Sequence, residues 1–197
     1  MPVVFLYQVS LLFMDKQELR KRQIKRLNEF QKKAHKHLED QILVNNFFDS
    51  GILDGVKSIG VTAALDFEVD NSELIAKCWD MGIDVYLART NPDKSMDFVF
   101  YNYTSKLEKS TFGVLEVADS NAKIKDDLDL VLVPGLAFSK IGHDRVGFGG
   151  GFFDRFLAQH PTKSCALVNS VMLYEEPAWP IEKTDIQIDQ LITPYTN

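Results

Sequence analysis

Cysteine is nearly absent from this chain, and Cys78 and Cys165 lie far apart in apolar surroundings. That argues against a disulfide framework or a zinc site and fits two reduced core residues of a cytoplasmic protein. Histidine is scarce as well. None of the four has metal-ligand spacing to a cysteine, and His35 and His37, two apart on an expected helix, point in different directions. No structural metal is expected. Long apolar runs are missing too: the stretch from Met1 to Phe13 is too short to span a bilayer. It also lacks the positive n-region and small-residue cleavage site of a signal peptide. Met14-Asp15-Lys16 reads as the more natural start, with residues 1–13 an upstream leader or at most a packed strand, and no membrane partner is expected. The chain has no internal repeat, and no Gly-Lys pair, which excludes the P-loop.

What is present suffices for one substantial core. At 197 residues and 45% hydrophobic, residues 14–197 are expected to form a single domain. The net charge of −6 is uneven. Residues 15–37 carry nine Lys/Arg against three Asp/Glu, so that segment is +6 and the remainder −12. An acidic body argues against broad nucleic-acid binding, which depends on neutralising phosphates. The basic segment can still form a local anion site. A monomer acting on a small molecule is the expectation.

From Asp15 to about Phe48 the pattern is helical, with Leu19, Leu27, Phe30, Ala34, Leu38 and Ile42 recurring at mostly three- and four-residue steps. Asp15 is the expected N-cap, and a break near Asn28 is expected to divide the run. Lys16 and Arg20 are i,i+4 neighbours, a like-charge spacing that is mildly unfavourable unless an anion lies between them. Lys57 to Ala64 reads as a buried strand, Asn71 or Ser72 as the cap of a helix ending near Gly82, and Ile83 to Ala88 as the next strand. Such a βαβ unit implies a parallel pair. Further strands are expected at Met96–Tyr103, Leu128–Val133 and Ser164–Val168, with a helix from about Gly151 to His160. Asp185 to Asp189 alternates with period two and reads as a last strand carrying Asp185, Gln187 and Asp189 on one side. The whole predicts a three-layer α/β/α domain with a mostly parallel central sheet and an N-terminal helical segment.

The most distinctive stretch is Arg145-Val146-Gly147-Phe148-Gly149-Gly150-Gly151-Phe152-Phe153-Asp154-Arg155. A glycine run before a helix suggests backbone N–H groups converging on an anion, with Arg145 adding positive charge and Asp154 able to hold a cation. A tight turn of an α/β protein is the plainer alternative. The dinucleotide fingerprint does not fit, because Gly147-Phe148-Gly149 is not completed by a glycine at the required step and Gly147 lies thirteen positions after Pro134.

The longer pattern is Leu130-Val131-Leu132-Val133-Pro134-Gly135-Leu136-Ala137-Phe138, then Gly142, then Arg145 to Asp154. It closely resembles the signature of the 5-formyltetrahydrofolate cyclo-ligase family, V-P-G-x-A-F-(D)-x-x-G-x-R-L-G-x-G-G-G-Y-Y-D. The resemblance extends to Lys16 and Arg20 for that family's K-x-x-x-R element, to Glu68-Val69-Asp70 after the first strand, to Arg89, to Met96-Asp97-Phe98, and to Pro180 with Asp185. It therefore covers nearly the whole chain after the leader. Departures are Phe152 and Phe153 in place of paired tyrosines, Ser139 in place of an acid, Glu116-Val117 in place of the usual Glu-Pro near Phe112-Gly113, and no clear counterpart of a glutamine near Asn169-Ser170.

The resemblance implies ATP-dependent, Mg²⁺-assisted conversion of 5-formyltetrahydrofolate to 5,10-methenyltetrahydrofolate, with ADP and phosphate released. It implies Lys16, Arg20 and Arg145 on the nucleotide phosphates, with backbone N–H groups from Gly147, Gly149, Gly150 and Gly151. Phe148, Phe152 and Phe153 would border both nucleotide and folate. Glu68 would contact the pterin, Phe112 would pack on the folate rings, and Asp154 and Asp185 would hold Mg²⁺. Arg145 and Asp154 would serve the chemistry itself. Read without the resemblance, Asp154 is a first-turn acid complementing a helix dipole, Glu68 a solvated turn carboxylate, and the phenylalanines core. A sugar-phosphate or CoA-handling enzyme and a non-catalytic folate-binding protein remain the alternatives.

Overall fold

In the computed structural model, which describes residues 14–195, the chain starts its first helix where Asp15 caps it. The Asp15 carboxylate accepts the N–H groups of Gln17 and Glu18, at 3.0 and 3.3 Å, which satisfies two of the orphan donors of a helix start. Helix α1 (Lys16–Phe30) buries Leu19, Leu27 and Phe30. The expected break comes slightly later than Asn28, whose side chain donates to the Ile24 carbonyl at 2.8 Å within the helix. Helix α2 (Ala34–Asp49) follows and buries Leu43, Val44 and Phe47. The leader expected at residues 1–13 lies outside the described residues.

The remainder runs in chain order as β1 (Ser58–Val61), α3 (Ser72–Asp80), β2 (Asp84–Thr90) and β3 (Met96–Tyr101). A hairpin of β4 (Leu107–Lys109) and β5 (Leu115–Val117) comes next. Then come β6 (Leu130–Leu132), β7 (Ala137–Ser139), β8 (Arg145–Val146), α4 (Phe152–Gln159), β9 (Ser164–Leu167), β10 (Leu173–Tyr174) and β11 (Gln190–Ile192). The central sheet has the order β11-β9-β6-β1-β2-β3. All its neighbours are parallel except β2 and β3, which a short turn joins and so makes antiparallel. Strands β10, β7 and β8 form a second, small sheet.

Three layers follow from β3. Phe98 and Tyr101 are three residues apart and so point to opposite faces of the sheet. Tyr101 meets Trp79 of α3 at 5.2 Å between ring centroids, whereas Phe98 meets Phe156 of α4 at 4.9 Å. Helices α3 and α4 therefore cover opposite faces. Gly60 in β1 makes room on the α4 side, since a Cβ there would stand 2.6 Å from atoms of Phe98 and Leu128. A smaller cluster of Leu19, Ala137, Val146 and Trp179 packs α1 on the small sheet. That contact places the start of α1 beside the chain that leads out of β8.

Two expectations need correction. Asn71 occupies the N-cap position of α3, but its amide goes to the Thr62 carbonyl, and Asp70 caps Ser72 N–H instead, at 2.9 Å. Residues 185–189 form no strand, and β11 begins only at Gln190. Their groups are claimed by separate segments: Ile186 N–H by the Asp154 carboxylate, Ile188 N–H by the His143 carbonyl, Gln187 by Asp144 and Asp189 by Ser164. Period-two alternation recorded those partners rather than a ladder. Both cysteines are free and buried, and burial pushes the Cys78 thiol up to about 12. Among the described residues no three His, Cys, Asp or Glu side chains are grouped to hold a metal, and no helix is long and apolar enough to cross a membrane.

Candidate functional site

A cleft of about 910 Å³ opens where β1, β2 and β6 end, bordered by Thr62 and Ala63, by Thr90, and by Pro134. The carboxyl ends of parallel strands are where open α/β sheets place their ligand sites. All fourteen residues nominated from the sequence line this one cleft, from Lys16 and Arg20 through Glu68, Phe112 and residues 145–154 to Asp185. Positions at opposite ends of the chain thus share a wall.

Arg145 ends up nearly buried because the glycines around it leave space. A Cβ on Gly147 would lie 2.5 Å from its Nη1, and one on Gly135 3.1 Å from its Cγ. The guanidinium donates to the Asp154 carboxylate at 2.9 Å and to the Pro134 carbonyl at 3.2 Å, and sits 5.9 Å from the Phe153 ring centre. Its Nε is buried without a partner among the described residues. Arg20 comes from the other side of the loop. Its Nε donates to the Gly147 carbonyl at 2.9 Å, and its guanidinium lies 3.3 Å from where a Cβ of Gly149 would be. Gly149 has φ +102° and Gly151, at the head of α4, +68°, a region that L side chains avoid. The glycines therefore serve the close approach of guanidinium groups as well as the turn.

Lys16 is held by two acids, Asp185 at 2.6 Å and the more exposed Glu182 at 3.7 Å. Asp185 also accepts the Glu182 N–H at 2.8 Å, and Asp154 accepts the Ile186 N–H at 3.2 Å. The two carboxylates paired from the sequence are thereby brought within one residue of each other across the cleft. Each is balanced by a cation. Two carboxylates with room for water and phosphate oxygens are a donor set that suits Mg²⁺, which binds by one or two carboxylates and keeps its waters.

Glu68 is not the solvated turn acid that its local sequence allows. It is 7% exposed, its carboxylate accepts the Leu65 N–H at 2.7 Å, and Lys36 donates to its backbone carbonyl at 2.7 Å while paired with Asp40. Burial raises its pKa to about 7, against smaller opposing effects of the Leu65 N–H and the Lys36 charge. At neutral pH it can therefore donate or accept a hydrogen bond.

The aromatic residues divide. Phe153 packs into the core against Phe98, so one of the paired aromatics is mainly structural. Phe152 is half-buried and meets the exposed Phe112 ring edge to face at 5.5 Å. Phe148 is 45% exposed and tilts against Phe67 at 6.2 Å.

Sequence reasoning missed Arg155, Glu182 and Lys183, all on the cleft wall. Arg155 donates to the Lys94 and Gly150 carbonyls, at 2.7 and 2.8 Å, and covers the Phe152 ring at 5.3 Å. Its only signal was its place directly after Asp154. Glu182 and Lys183 carried none.

The profile of the 5-formyltetrahydrofolate cyclo-ligase family matches residues 13–194. The 5-formyltetrahydrofolate cyclo-ligase of Escherichia coli K12 is 30% identical over 145 residues, covering 70% of this chain and 78% of that protein. Among solved structures, the Aquifex aeolicus 5,10-methenyltetrahydrofolate synthetase superposes with a TM-score of 0.76 at 22% identity, over 93% of this chain and 91% of that one. The Mycoplasma pneumoniae 5,10-methenyltetrahydrofolate synthetase does so with a TM-score of 0.67 at 21% identity, over 91% and 98%. At those identities the structures speak for the fold.

Proposed function

The chain belongs to the 5-formyltetrahydrofolate cyclo-ligase family, and from that premise we propose that it converts 5-formyltetrahydrofolate and ATP to 5,10-methenyltetrahydrofolate, ADP and phosphate. The observation that carries this reading is the convergence, in one cleft, of Lys16, Arg20, Arg145 and the glycine loop with Glu68 and the exposed rings of Phe112 and Phe148.

The formyl amide oxygen is a poor leaving group. In the proposed reaction it takes the terminal phosphoryl group of ATP, and ADP departs. The N10 amine then attacks the activated formyl carbon, the C–O bond to phosphate breaks, and the N10 proton is lost as the ring closes. A phosphoryl transfer of this kind is accelerated by positioning and charge neutralisation rather than by a protein nucleophile.

The residues present suit that demand. Arg145 is fixed at the glycine loop by Asp154 and Pro134, and a guanidinium reads phosphate oxygens in a fixed plane. Among the described residues Arg20 has only its Nε engaged, with Gly147, which leaves its terminal nitrogens for phosphate. Lys16 adds a third charge once nucleotide or metal competes for Asp185. Asp154 and Asp185 would hold Mg²⁺, which supplies charge neutralisation at the transferring phosphoryl group. Glu68, near half-protonation at neutral pH, can hydrogen-bond the pterin ring, while Phe112, Phe148 and Phe152 give its faces apolar contact.

The test is purified protein with 5-formyltetrahydrofolate, ATP and Mg²⁺, followed by the absorbance of the methenyl product. Product is expected only with ATP present. Folded protein that binds a phosphorylated ligand but forms no product would overturn the proposal in favour of another phosphate-handling enzyme. Binding of folate without ATP consumption would mark a folate-binding protein instead.

A further inference from the structure

Glu116 is an acid of the cleft to which the proposed chemistry gives no task. It is 8% exposed and sits on β5. One of its carboxylate oxygens accepts both the N–H of Thr90, at 3.2 Å, and the Thr90 hydroxyl, at 2.8 Å. Thr90 is the last residue of β2. The bond therefore runs from the hairpin to the end of a central strand, at the cleft wall.

A hairpin with three-residue strands is marginal alone. This one is anchored at its base, where Val117 and Leu107 pack on the core. Towards its tip, Ser110 N–H closes on the Val114 carbonyl at 2.8 Å, and Gly113 takes φ +79°. The turn carries Phe112, 61% exposed, edge-on to Phe152. Phe152 is itself fixed beneath Arg155. One ring of this pair is thus set by the glycine loop and the other by the hairpin, and Glu116 ties the hairpin to the sheet at the cleft.

We propose that Glu116 is a positioning residue for the folate side of the cleft. By fastening the hairpin to Thr90 it holds Phe112 edge-on to Phe152, and the two rings form an aromatic corner against which a flat heteroaromatic ring such as the pterin can lie. Glu116 sets folate affinity without touching the folate. The claim rests on the cyclo-ligase reading for the identity of the ligand, while the geometry of the aromatic corner stands on the hairpin.

Steady-state kinetics on four variants test it. Glu116→Ala is expected to raise KM for 5-formyltetrahydrofolate about tenfold and to leave KM for ATP within about twofold. Glu116→Gln keeps an oxygen for Thr90 and is expected to stay within about threefold of wild type for both. Phe112→Ala, at an exposed position whose loss leaves the core intact, is expected to match Glu116→Ala. The double variant should be no worse than the poorer single one, because residues acting as a unit are not additive. Glu116→Gln as impaired as Glu116→Ala would overturn the proposal, since the charge itself would then face the ligand. Independent, multiplying effects in the double variant, or a parallel rise in KM for ATP, would overturn it as well. If wild type binds 5-formyltetrahydrofolate without converting it, the cyclo-ligase reading fails, and the same comparisons made on Kd still decide the role of Glu116.

Discussion

Burial of Glu68 costs its charged form more than the Leu65 N–H and the Lys36 charge return, and the pKa of about 7 is the result. Stability depends on pH accordingly. With the folded value above the ordinary 4.5, the folded chain keeps a proton that the unfolded chain loses between those limits. The stability attached to this group is complete below the lower value and is lost as pH rises through the upper one, on the order of 3 kcal/mol in all. Glu68→Gln retains an acceptor for Leu65 but cannot ionise. Urea unfolding at about pH 5 and about pH 8 is expected to show a smaller stability difference for Glu68→Gln than for wild type, by that order. Equal differences would place the titration elsewhere, with Asp40, whose carboxyl burial also raises, the next group to examine.

At the scale of elements, the join between the glycine loop and α4 combines a left-handed backbone with a close side-chain contact. Gly151 is left-handed, and a Cβ there would stand 2.6 Å from Arg155 Nη1. Gly82 is left-handed too, at φ +74°, but has open space around it. Gly82→Ala should therefore cost about 1–2 kcal/mol of conformational strain. Gly151→Ala should cost more, because Arg155 must also leave the Lys94 and Gly150 carbonyls. Thermal denaturation of the two variants measures the difference, and equal losses would mean that Arg155 yields freely. The elements themselves differ in how far the sequence disclosed them. β1 and β2 were readable as short, continuously apolar runs and α3 as an amphipathic helix between them, each bounded by polar turns. Strands β7, β8 and β10 have two or three residues each, too few to carry a period, and they exist as strands because Trp179, Val146 and Leu19 pack them on α1. The site was legible where a motif fixed its spacing, as at Arg145 to Asp154. The role of Glu116 was not, because it depends on where a hairpin docks.

At the scale of the whole molecule, the segment with charge +6 contributes Lys16 and Arg20 to the cleft of a chain whose net charge is −6. Among the described residues Arg20 pairs with no acid, and its terminal nitrogens offer an anion a cationic contact on an otherwise acidic protein. Nucleotide binding should therefore be visible as stabilisation of the entire fold. With Mg²⁺-ATP at about 100 times its Kd, mass action adds about 2.7 kcal/mol, which for a chain of this size raises Tm by about 5–10 °C. Arg145→Ala should abolish most of that rise relative to its own ligand-free Tm. Differential scanning calorimetry with and without nucleotide makes the comparison, and an undiminished rise in the variant would remove Arg145 from the phosphate site.

The ion pair between Lys16 and Asp185 also sets a timetable. A ribosome adds Lys16 to the chain 169 positions before its acidic partner Asp185. Strands β1 to β6 can assemble while Lys16 still awaits Asp185. The cleft is complete only once that late segment has emerged, so a chain stalled before Asp185 carries most of the sheet and an unfinished site.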